Sequence, residues 1–389
     1  MSERLLLKGT YLWDGVQEFV LPEGAVLIEN GRIESLGPFS EIKNKQHDRC
    51  IEWTGSTLMP GMIDSHTHLS MDATLEHYLD HMSDSVTELS LRARAMMKID
   101  LFSGVTTCRC LGDKEFLDIE CRQAVEEGIV TGPDLLVAGR GIRAPKGHGF
   151  VGYPIEGPEQ IIETIRENKS AGADLIKIYI TGSLKGNGNL PSYLTREEIK
   201  TAIDESHKNN LRIAAHCVGG EGLDWALEFG LDALEHAYHI SDEQIQRLQR
   251  SDTFPVLTPG PVLDNERIKN LPDNLIQGHF DEQMKMRESM TSLIRAGIPF
   301  AVGTDGMHGG LARELEYLVD MGASNFEALQ AATFHGAVVS GIHMKTGSLE
   351  PGKEADIIAV EGNPLENIRA VKHITAIIKK GQVIKDQPA

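Results

Sequence analysis

The sequence lacks any long hydrophobic run. Nowhere in its 389 residues do about 18 uninterrupted apolar residues occur. The apolar stretch within the N-terminal MSERLLLKGT is also too short for a signal peptide. These absences predict no membrane-spanning helix and favour a cytoplasmic location. The content of 41% hydrophobic and 24% charged residues is typical of a globular protein with a sizeable core.

Cysteine and positive charge are scarce as well. The five cysteines show neither zinc-finger nor paired-disulfide spacing, which favours a reducing compartment, and we interpret them as buried thiols. The formal net charge of −19 repels nucleic acid and anionic membranes. We therefore expect a small-molecule partner, and neither a nucleic-acid nor a membrane partner.

Both ends of the chain alternate apolar and polar residues as β-strands do. Such segments are LLLKG, AVLIENGRIESLG and CIEWTG near the N-terminus, and ADIIAVEG and ITAIIKKGQVI near the C-terminus. Asn30 and Gly31 lie between two alternating runs and predict a tight hairpin. We predict one small β-sandwich domain assembled from residues 1–58 and 345–389.

The middle of the chain, residues 59–344, alternates strand-like runs with amphipathic helical stretches. The strand-like runs are TLMPGMIDSH, GVTTCRCL, DLLVAGRG, DLIKIYITG, LRIAAHC, DALEHAYH, PVLTPG and PFAVGTDG. Parallel strands need crossover helices and become buried on both faces. Eight such units in this length predict an α/β fold, a (β/α)₈ TIM barrel.

Polar residues fall near the carboxyl ends of these predicted strands, where barrels of this type carry their sites. The set comprises His66 and His68 after strand one, Lys177 in strand four, His216 after strand five, His236 after strand six and Asp305 after strand eight. Residues i and i+2 of a strand point to the same side, so both imidazoles of strand one can reach one ion. A lone histidine is more often a hydrogen-bonded structural residue, so the metal hypothesis depends on the whole set. Histidine and aspartate ligands favour Zn²⁺, with Mn²⁺, Fe²⁺ or Co²⁺ as alternatives.

Lys177 stands inside the apolar run DLIKIYI. A bare ammonium group is costly to bury, so its pKa should fall and leave a neutral amine able to react. The alternative is a lysine that pairs with a carboxylate across the barrel.

Several motifs carry a resemblance to a known family: PGMIDSHTHL, GVTTCRCLGD, GADLIKIYITGS, AAHC, LEHAYH, VGTDGMHG and TGSLEPGKEADIIAVEGNPLENI. With them the chain resembles the amidohydrolase superfamily, and within it the imidazolonepropionase-related branch that includes Xaa-Pro dipeptidases (prolidases). The resemblance implies two divalent metal ions and a Lys177 carboxylated by CO₂ on its side-chain nitrogen. It implies that His66, His68, Lys177 and Asp305 hold the more buried ion, and that Lys177, His216 and His236 hold the other.

The same resemblance implies hydrolysis of an amide-type C–N bond in a dipeptide, an N-acyl amino acid or a cyclic amide. A metal-bridging hydroxide would attack the carbonyl, with Asp305 as general acid and base, so Lys177 and Asp305 are the predicted catalytic residues. Two departures argue against a dipeptidase but not against hydrolysis. Cys110 stands where the family usually has an acidic residue, and Thr181-Gly182-Ser183 replaces the usual Ser-Gly-Gly.

Two alternatives remain open at this point. One is a mononuclear deaminase or imidazolonepropionase-like ring hydrolase, although such relatives do without the strand-four lysine. The other is a catalytically silent scaffold, although silent relatives generally lose ligands and none is missing here. Relatives often form homo-oligomers, and we expect the same of this chain.

Candidate substrate contacts lie on the same rim. They are His148, His239, His308 and Tyr179. His148 lies in the loop after strand three, where related enzymes contact the substrate with a histidine. Tyr179 shares the strand face of Lys177 and could equally pack beside the ions. Arg109, at the end of strand two, is a further candidate, but an ion pair with Asp113 or another carboxylate is at least as well supported. The segment GSLKGNGNLPSY after strand four lacks the order GxxxxGK[ST], so it is no phosphate-binding loop, and we interpret it as a mobile lid.

Overall fold

The computed structural model describes residues 4–72, 81, 83–182, 190–266 and 273–386. The central part of the predicted lid, residues 183–189, lies outside this range.

The strands follow one another along the chain as β1 (Arg4–Leu12), β2 (Leu21–Pro22), β3 (Gly24–Glu29), β4 (Arg32–Pro38), β5 (Arg49–Pro60), β6 (Met62–Thr67), β7 (Val105–Cys110), β8 (Asp134–Val137), β9 (Ile142–Arg143), β10 (Tyr153–Pro154), β11 (Leu175–Tyr179), β12 (Arg212–Cys217), β13 (Ala233–His236), β14 (Phe254–Leu257), β15 (Ala301–Val302), β16 (Ile357–Glu361), β17 (Ile374–Lys379) and β18 (Gln382–Asp386).

The α-helices are α1 (Phe39–Ile42), α2 (Val86–Phe102), α3 (Leu117–Glu126), α4 (Pro158–Ala171), α5 (Arg196–Lys208), α6 (Gly220–Phe229), α7 (Asp242–Leu248), α8 (Gly260–Leu263), α9 (Asp273–Arg295), α10 (Leu311–Asp320), α11 (Asn325–Ala331) and α12 (Phe334–Val339). Short 3₁₀ helices span Lys114–Phe116 and Ile368–Lys372.

Strands from both ends of the chain form one eight-stranded sheet, as the alternating segments predict. Its order is β18-β17-β16-β5-β1-β3-β4, with β2 paired to β1. The Asn30–Gly31 hairpin is confirmed, because β3 and β4 pair as Glu29 with Arg32 across these two residues. Asn30 and Gly31 have φ values of 52° and 76°, the positive angles that a two-residue hairpin turn of type I′ requires.

The eight strands predicted in the middle of the chain are all present, as β6, β7, β8 and β11 to β15. They pair in parallel in two sheets, β6-β7-β8 and β10-β9-β11-β12-β13-β14-β15, of which β9 and β10 are short strands that the sequence pattern did not predict. Backbone hydrogen bonds link the two sheets from Asp174 N to Val137 O (2.8 Å) and from Asp305 N to His66 O (2.8 Å). The molecule is therefore a mixed α/β fold built around parallel strands.

Capping boxes fix where several helices begin, and hence where the preceding loops end. Ser or Thr at the N-cap and Glu or Gln three residues later exchange hydrogen bonds with each other's backbone at the starts of α2, α5, α7 and α11. The helices cover the parallel strands, so that all residues of β6, β7 and β11 are buried. Polar side chains in these strands must therefore find partners inside the protein.

The prediction that all cysteines are buried was wrong for Cys50. It is exposed because it lies at the solvent-facing start of β5, whereas Cys108, Cys110, Cys121 and Cys217 are buried. In the part of the chain that the structure describes, no helix has the length and apolar character needed to cross a membrane.

Replacement of Gly31 should destabilise the terminal sheet. A Cβ atom there would lie 2.7 Å from the Lys380 carbonyl oxygen, and φ is +76°. We expect Gly31→Ala to lower the free energy of unfolding by roughly 1–3 kcal/mol, measured by urea unfolding. Gly362→Ala is the matched control, because its φ is +81° but no atom lies within 4 Å of the added Cβ. Equal losses in the two variants would contradict a role for the close approach.

Candidate active site

Side chains from β6, β11 and the residues after β15 converge in the buried interior. The Nε2 atoms of His66 and His68 lie 3.2 Å and 3.6 Å from Oδ1 of Asp305. Nζ of Lys177 lies 3.4 Å from Nε2 of His66. His66, His236 and Asp305 each offer a ligand atom, and these atoms lie within 4.8 Å of one another. Donors this close can share one or two small cations.

A second group of rings continues from this centre toward the loop between β9 and β10. The ring centroids of His216 and His236 are 4.4 Å apart, and those of His66 and His236 are 4.7 Å apart. His148 stacks beside His216 at 4.3 Å between centroids, and the Tyr179 ring lies 5.8 Å from that of His216. The structure therefore brings together all six predicted metal ligands, with His148 and Tyr179 at their side.

The protein contacts the Nδ1 atom of three imidazoles, on the side of the ring away from the centre of the cluster. Nδ1 of His66 lies 2.7 Å from Oε2 of Glu235, Nδ1 of His68 lies 2.7 Å from the Gly112 carbonyl oxygen, and Nδ1 of His236 lies 2.7 Å from Oγ1 of Thr258. Each contact orients the ring and leaves Nε2 for the centre of the site. This arrangement is usual for metal-ligating histidines, whose other nitrogen donates to the protein, so the donor set fits divalent ions.

His216 differs from these three rings. Its Nε2 lies 3.3 Å from the Gly182 carbonyl oxygen, the residue that precedes the region outside the described chain.

The backbone bends sharply where two of the ligands stand. His236, Ala237 and Asp305 have φ values of 77°, 55° and 52°, a region that residues other than glycine rarely adopt. Such conformations cost on the order of 1–3 kcal/mol each and are concentrated at functional sites. Gly303 permits the close approach of β15 to β6, because a Cβ there would lie 2.4 Å from His66 N.

Burial favours the neutral form of His68, His148, His216 and His236. It lowers the pKa of His68 to about 3 and that of His148 to about 4, and it lowers the pKa values of His216 and His236 well below the usual range. Neutral imidazole is the form that binds a metal ion. Burial opposes ionisation of Asp305, but its contact with His66 and the charge of Lys177 outweigh this effect and lower its pKa, which favours the charged carboxylate.

Lys177 has the environment that its sequence context predicts. Its side chain is fully buried, and burial lowers its pKa to about 8, although Glu235 and Asp305 oppose the shift. A substantial fraction of neutral amine is therefore present slightly above neutral pH. Tyr179 is buried too, and burial raises its pKa well above the usual value, so its hydroxyl is a proton donor at neutral pH.

Two buried carboxylates that support the site were missed by the sequence analysis. Oε1 of Glu235 accepts a hydrogen bond from Nη1 of Arg109 at 3.0 Å, while its other oxygen holds His66. Oδ2 of Asp64 accepts a hydrogen bond from the Thr304 hydroxyl at 2.6 Å. The sequence held a signal for both, because each carboxylate lies inside an apolar strand. Glu235 directly precedes His236, and Asp64 stands two residues before His66. The ion pair expected for Arg109 is thus made with Glu235.

Two of the predicted substrate contacts, His239 and His308, lie against protein groups. Nε2 of His239 lies 2.9 Å from Oε2 of Glu282 in α9. Nδ1 of His308 lies 2.7 Å from Oδ2 of Asp100, and its Nε2 lies 3.1 Å from the His68 carbonyl oxygen. Burial disfavours the charged form of His308, but Asp100 outweighs it and raises the pKa. His308 therefore supports the backbone of His68, and a substrate contact for either histidine stays a prediction.

Parallel strands capped by helices, with convergent histidine, lysine and aspartate side chains at the carboxyl ends of the strands, define an α/β enzyme. A sequence model of the Amidohydrolase family matches residues 57–384. Ochratoxinase from Aspergillus niger is 27% identical, over 94% of this chain and 83% of the relative. Imidazolonepropionase from Geobacillus kaustophilus is 24% identical, over 94% of this chain and 91% of the relative.

Among solved structures, a Xaa-Pro dipeptidase with methionine bound in its active site superposes with a TM-score of 0.86 and 25% identity, over 98% of this chain and 100% of the other. The chain belongs to the amidohydrolase family. It is a hydrolase of carbon–nitrogen bonds, as the resemblance in the sequence predicts.

The charge of Glu235 should be required for stability. Glu235→Gln leaves Arg109 buried without a counter-charge, so we expect a loss of about 3–5 kcal/mol at neutral pH, measured by urea unfolding. Burial opposes ionisation of Glu235, but Arg109 and His66 outweigh it and lower its pKa from 4.5 to about 2. In the wild type this contribution is complete above pH 4.5 and lost as pH falls toward 2, and the variant should lack that loss.

Glu314→Gln is the matched control. Glu314 is buried and accepts a hydrogen bond from Gly260 N at 2.7 Å, and burial raises its pKa well above the usual value, which favours the neutral acid that the amide resembles. An equal loss of stability in both variants would show that the charge of Glu235 is not what matters.

Proposed function

We propose that this amidohydrolase is a binuclear metal-dependent enzyme that cleaves the amide bond of an N-acyl amino acid, a dipeptide or a cyclic amide. The observation that carries the proposal is the convergence of Nε2 atoms on Asp305 and Lys177 while the opposite ring nitrogens are held by the protein. Zn²⁺ is the proposed metal, because histidine nitrogen and carboxylate oxygen are its usual ligands.

We further propose that the eight parallel strands close into a (β/α)₈ barrel spanning residues 59–344. The hydrogen bonds from Asp174 N to Val137 O and from Asp305 N to His66 O support this closure. A terminal β-sandwich of residues 1–58 and 345–389 is supported by contact between opposite ends of the sheet. Gly381 N donates to Ala355 O at 3.0 Å, and Ala355 N donates to Gly31 O at 2.9 Å.

Two ions held at this site would lower the pKa of a water molecule toward neutrality and polarise the carbonyl of the scissile bond. His66, His68 and Asp305 would hold one ion and His216 and His236 the other, with Lys177 between them. Asp305 takes the proton of the attacking water and delivers it to the leaving nitrogen, which must be protonated to depart as an amine. His148, beside His216, is placed to contact the carbonyl oxygen of the substrate.

Lys177 distinguishes the leading proposal from its main alternative. Its burial and lowered pKa provide a neutral amine that can add CO₂, and the carbamate so formed would supply the shared anionic oxygen ligand. A mononuclear deaminase or ring hydrolase has no use for a lysine at this place. A catalytically silent scaffold is disfavoured, because every predicted ligand lies in or beside the cluster and none is replaced.

The relatives support the choice of an amide of an amino acid. One structural relative is named a Xaa-Pro dipeptidase and has methionine in its active site. Thr181, Gly182 and Ser183 depart from the dipeptidase pattern, so we place N-acyl amino acids beside dipeptides as substrates.

Asp305→Asn should abolish most turnover while keeping the fold. The amide oxygen can still approach an ion, but the group can no longer accept the proton, so we expect kcat to fall by about 10²–10⁴-fold. Zinc content should stay near that of the wild type, measured by elemental analysis beside hydrolysis of an N-acyl amino acid panel. Asp320→Asn, an exposed carboxylate at the end of α10, is the control. Near-normal turnover of Asp305→Asn would defeat the mechanism.

Lys177→Ala should reduce the metal content from about two ions per chain and abolish turnover, because the shared ligand is lost. Added acetate or propionate should restore part of both, since a small carboxylate can occupy the place of the carbamate. The exposed Lys200 provides a matched Lys→Ala control. Unchanged metal content and turnover in Lys177→Ala would favour the mononuclear alternative.

A further inference from the structure

The Tyr179 hydroxyl is a buried hydrogen-bond donor that the catalytic proposal does not use. The side chain is almost fully buried, and its oxygen has no hydrogen-bond partner among the described residues. The centroid of its ring lies 5.0 Å from Nζ of Lys177 and 5.8 Å from that of His216, so the ring stands beside two of the predicted metal ligands. A buried donor without a partner is unfavourable, which indicates a partner that arrives with the substrate.

The loop segment around β9, residues 141–152, fixes this tyrosine in place. Three glycines pack flat against its ring, where a Cβ would lie 3.0 Å from Cε2 at Gly141, 2.5 Å from Cδ1 at Gly149 and 2.9 Å from Cε2 at Gly152. A larger residue is disfavoured at Gly149 by its φ of +91° as well as by the close approach to the Tyr179 ring. His148 belongs to the same loop, so the ring of Tyr179 and the imidazole are positioned together.

Arg143 supplies a positive charge on the same face of the sheet as Tyr179. It pairs with Tyr179 in register across β9 and β11, so the two side chains leave the sheet on the same face. Its Nε and Nη1 donate to the carbonyl oxygens of Gly152 (3.1 Å) and Ala144 (3.3 Å). Within the described ranges no carboxylate lies within ion-pair distance of it, although it is half-buried. A guanidinium in that position retains donors for an anion.

We propose that Arg143 and the Tyr179 hydroxyl form a subsite for a carboxylate of the substrate. This inference rests on the proposed function and deepens it, because it selects acids among the amides that such a site could cleave. A planar carboxylate can accept hydrogen bonds from a guanidinium and a phenol at the same time. A neutral amide accepts weaker hydrogen bonds from the same two donors. The subsite lies on the β9–β11 side of the metal ligands, so the substrate carries its carboxylate on that side of the scissile bond.

Binding without turnover tests the subsite separately from catalysis. Zinc-loaded Asp305→Asn protein serves as the parent, and isothermal titration measures the dissociation constants of N-acetyl-leucine, N-acetyl-phenylalanine and N-acetyl-proline and of their primary amides. We expect the parent to bind an acid about tenfold or more tightly than its amide. Tyr179→Phe and Arg143→Gln, each added to the parent, should remove most of this preference while changing amide binding little.

Tyr153→Phe and Arg140→Gln are matched controls that should keep the preference. Tyr153 and Arg140 contact each other and Glu115 at the surface, outside the cluster. No preference for acids in the parent, including no binding of either form, would overturn the subsite. So would a preference that survives in both Tyr179→Phe and Arg143→Gln. A wild-type enzyme that hydrolyses none of the panel would instead refute the proposed function, with the acid preference still measurable.

Discussion

The candidate site depends on how His66 is held from two sides. Glu235 contacts its Nδ1 atom, and Asp305 lies beside its Nε2 atom. These contacts join β6 to β13 and to the residues after β15, strands that are not neighbours in sequence. Glu235 can remain ionised in the interior because Arg109 neutralises it, and burial of an unpaired carboxylate would be prohibitive. The position of His66 therefore depends on the buried ion pair between Arg109 and Glu235.

Conformational strain is concentrated at the same strand ends. His236 and Asp305 adopt left-handed backbone angles that the surrounding sheets impose, since β12 and β14 flank β13 and Asp305 N donates to His66 O. Close approach of the strands adds to this constraint, because Gly303 must lack a Cβ beside His66 N. A scaffold of buried parallel strands can hold such angles, whereas an exposed loop would relax them.

The sequence pattern predicted the features that depend on local periodicity. All eight central strands, the Asn30–Gly31 hairpin and the convergence of the six candidate ligands follow from apolar runs that end in polar residues. Features set by tertiary neighbours were not predictable in this way. The partner of Arg109 is 126 residues away, and His308 contacts an aspartate 208 residues away. Whether a rim histidine points to substrate or to protein depends on those distant partners, and no spacing rule records them.

On the proposed assignments, the residues for chemistry and those for substrate recognition lie on different segments of the chain. The candidate ligands stand on β6, β11, β12 and β13 and after β15, where strand register fixes them. His148, Arg143 and the glycines against Tyr179 lie on β9 and the loop around it, whose conformation follows from small residues and positive φ angles. Loop residues can be exchanged without moving a strand, so substrate preference can change while the ligand geometry is kept.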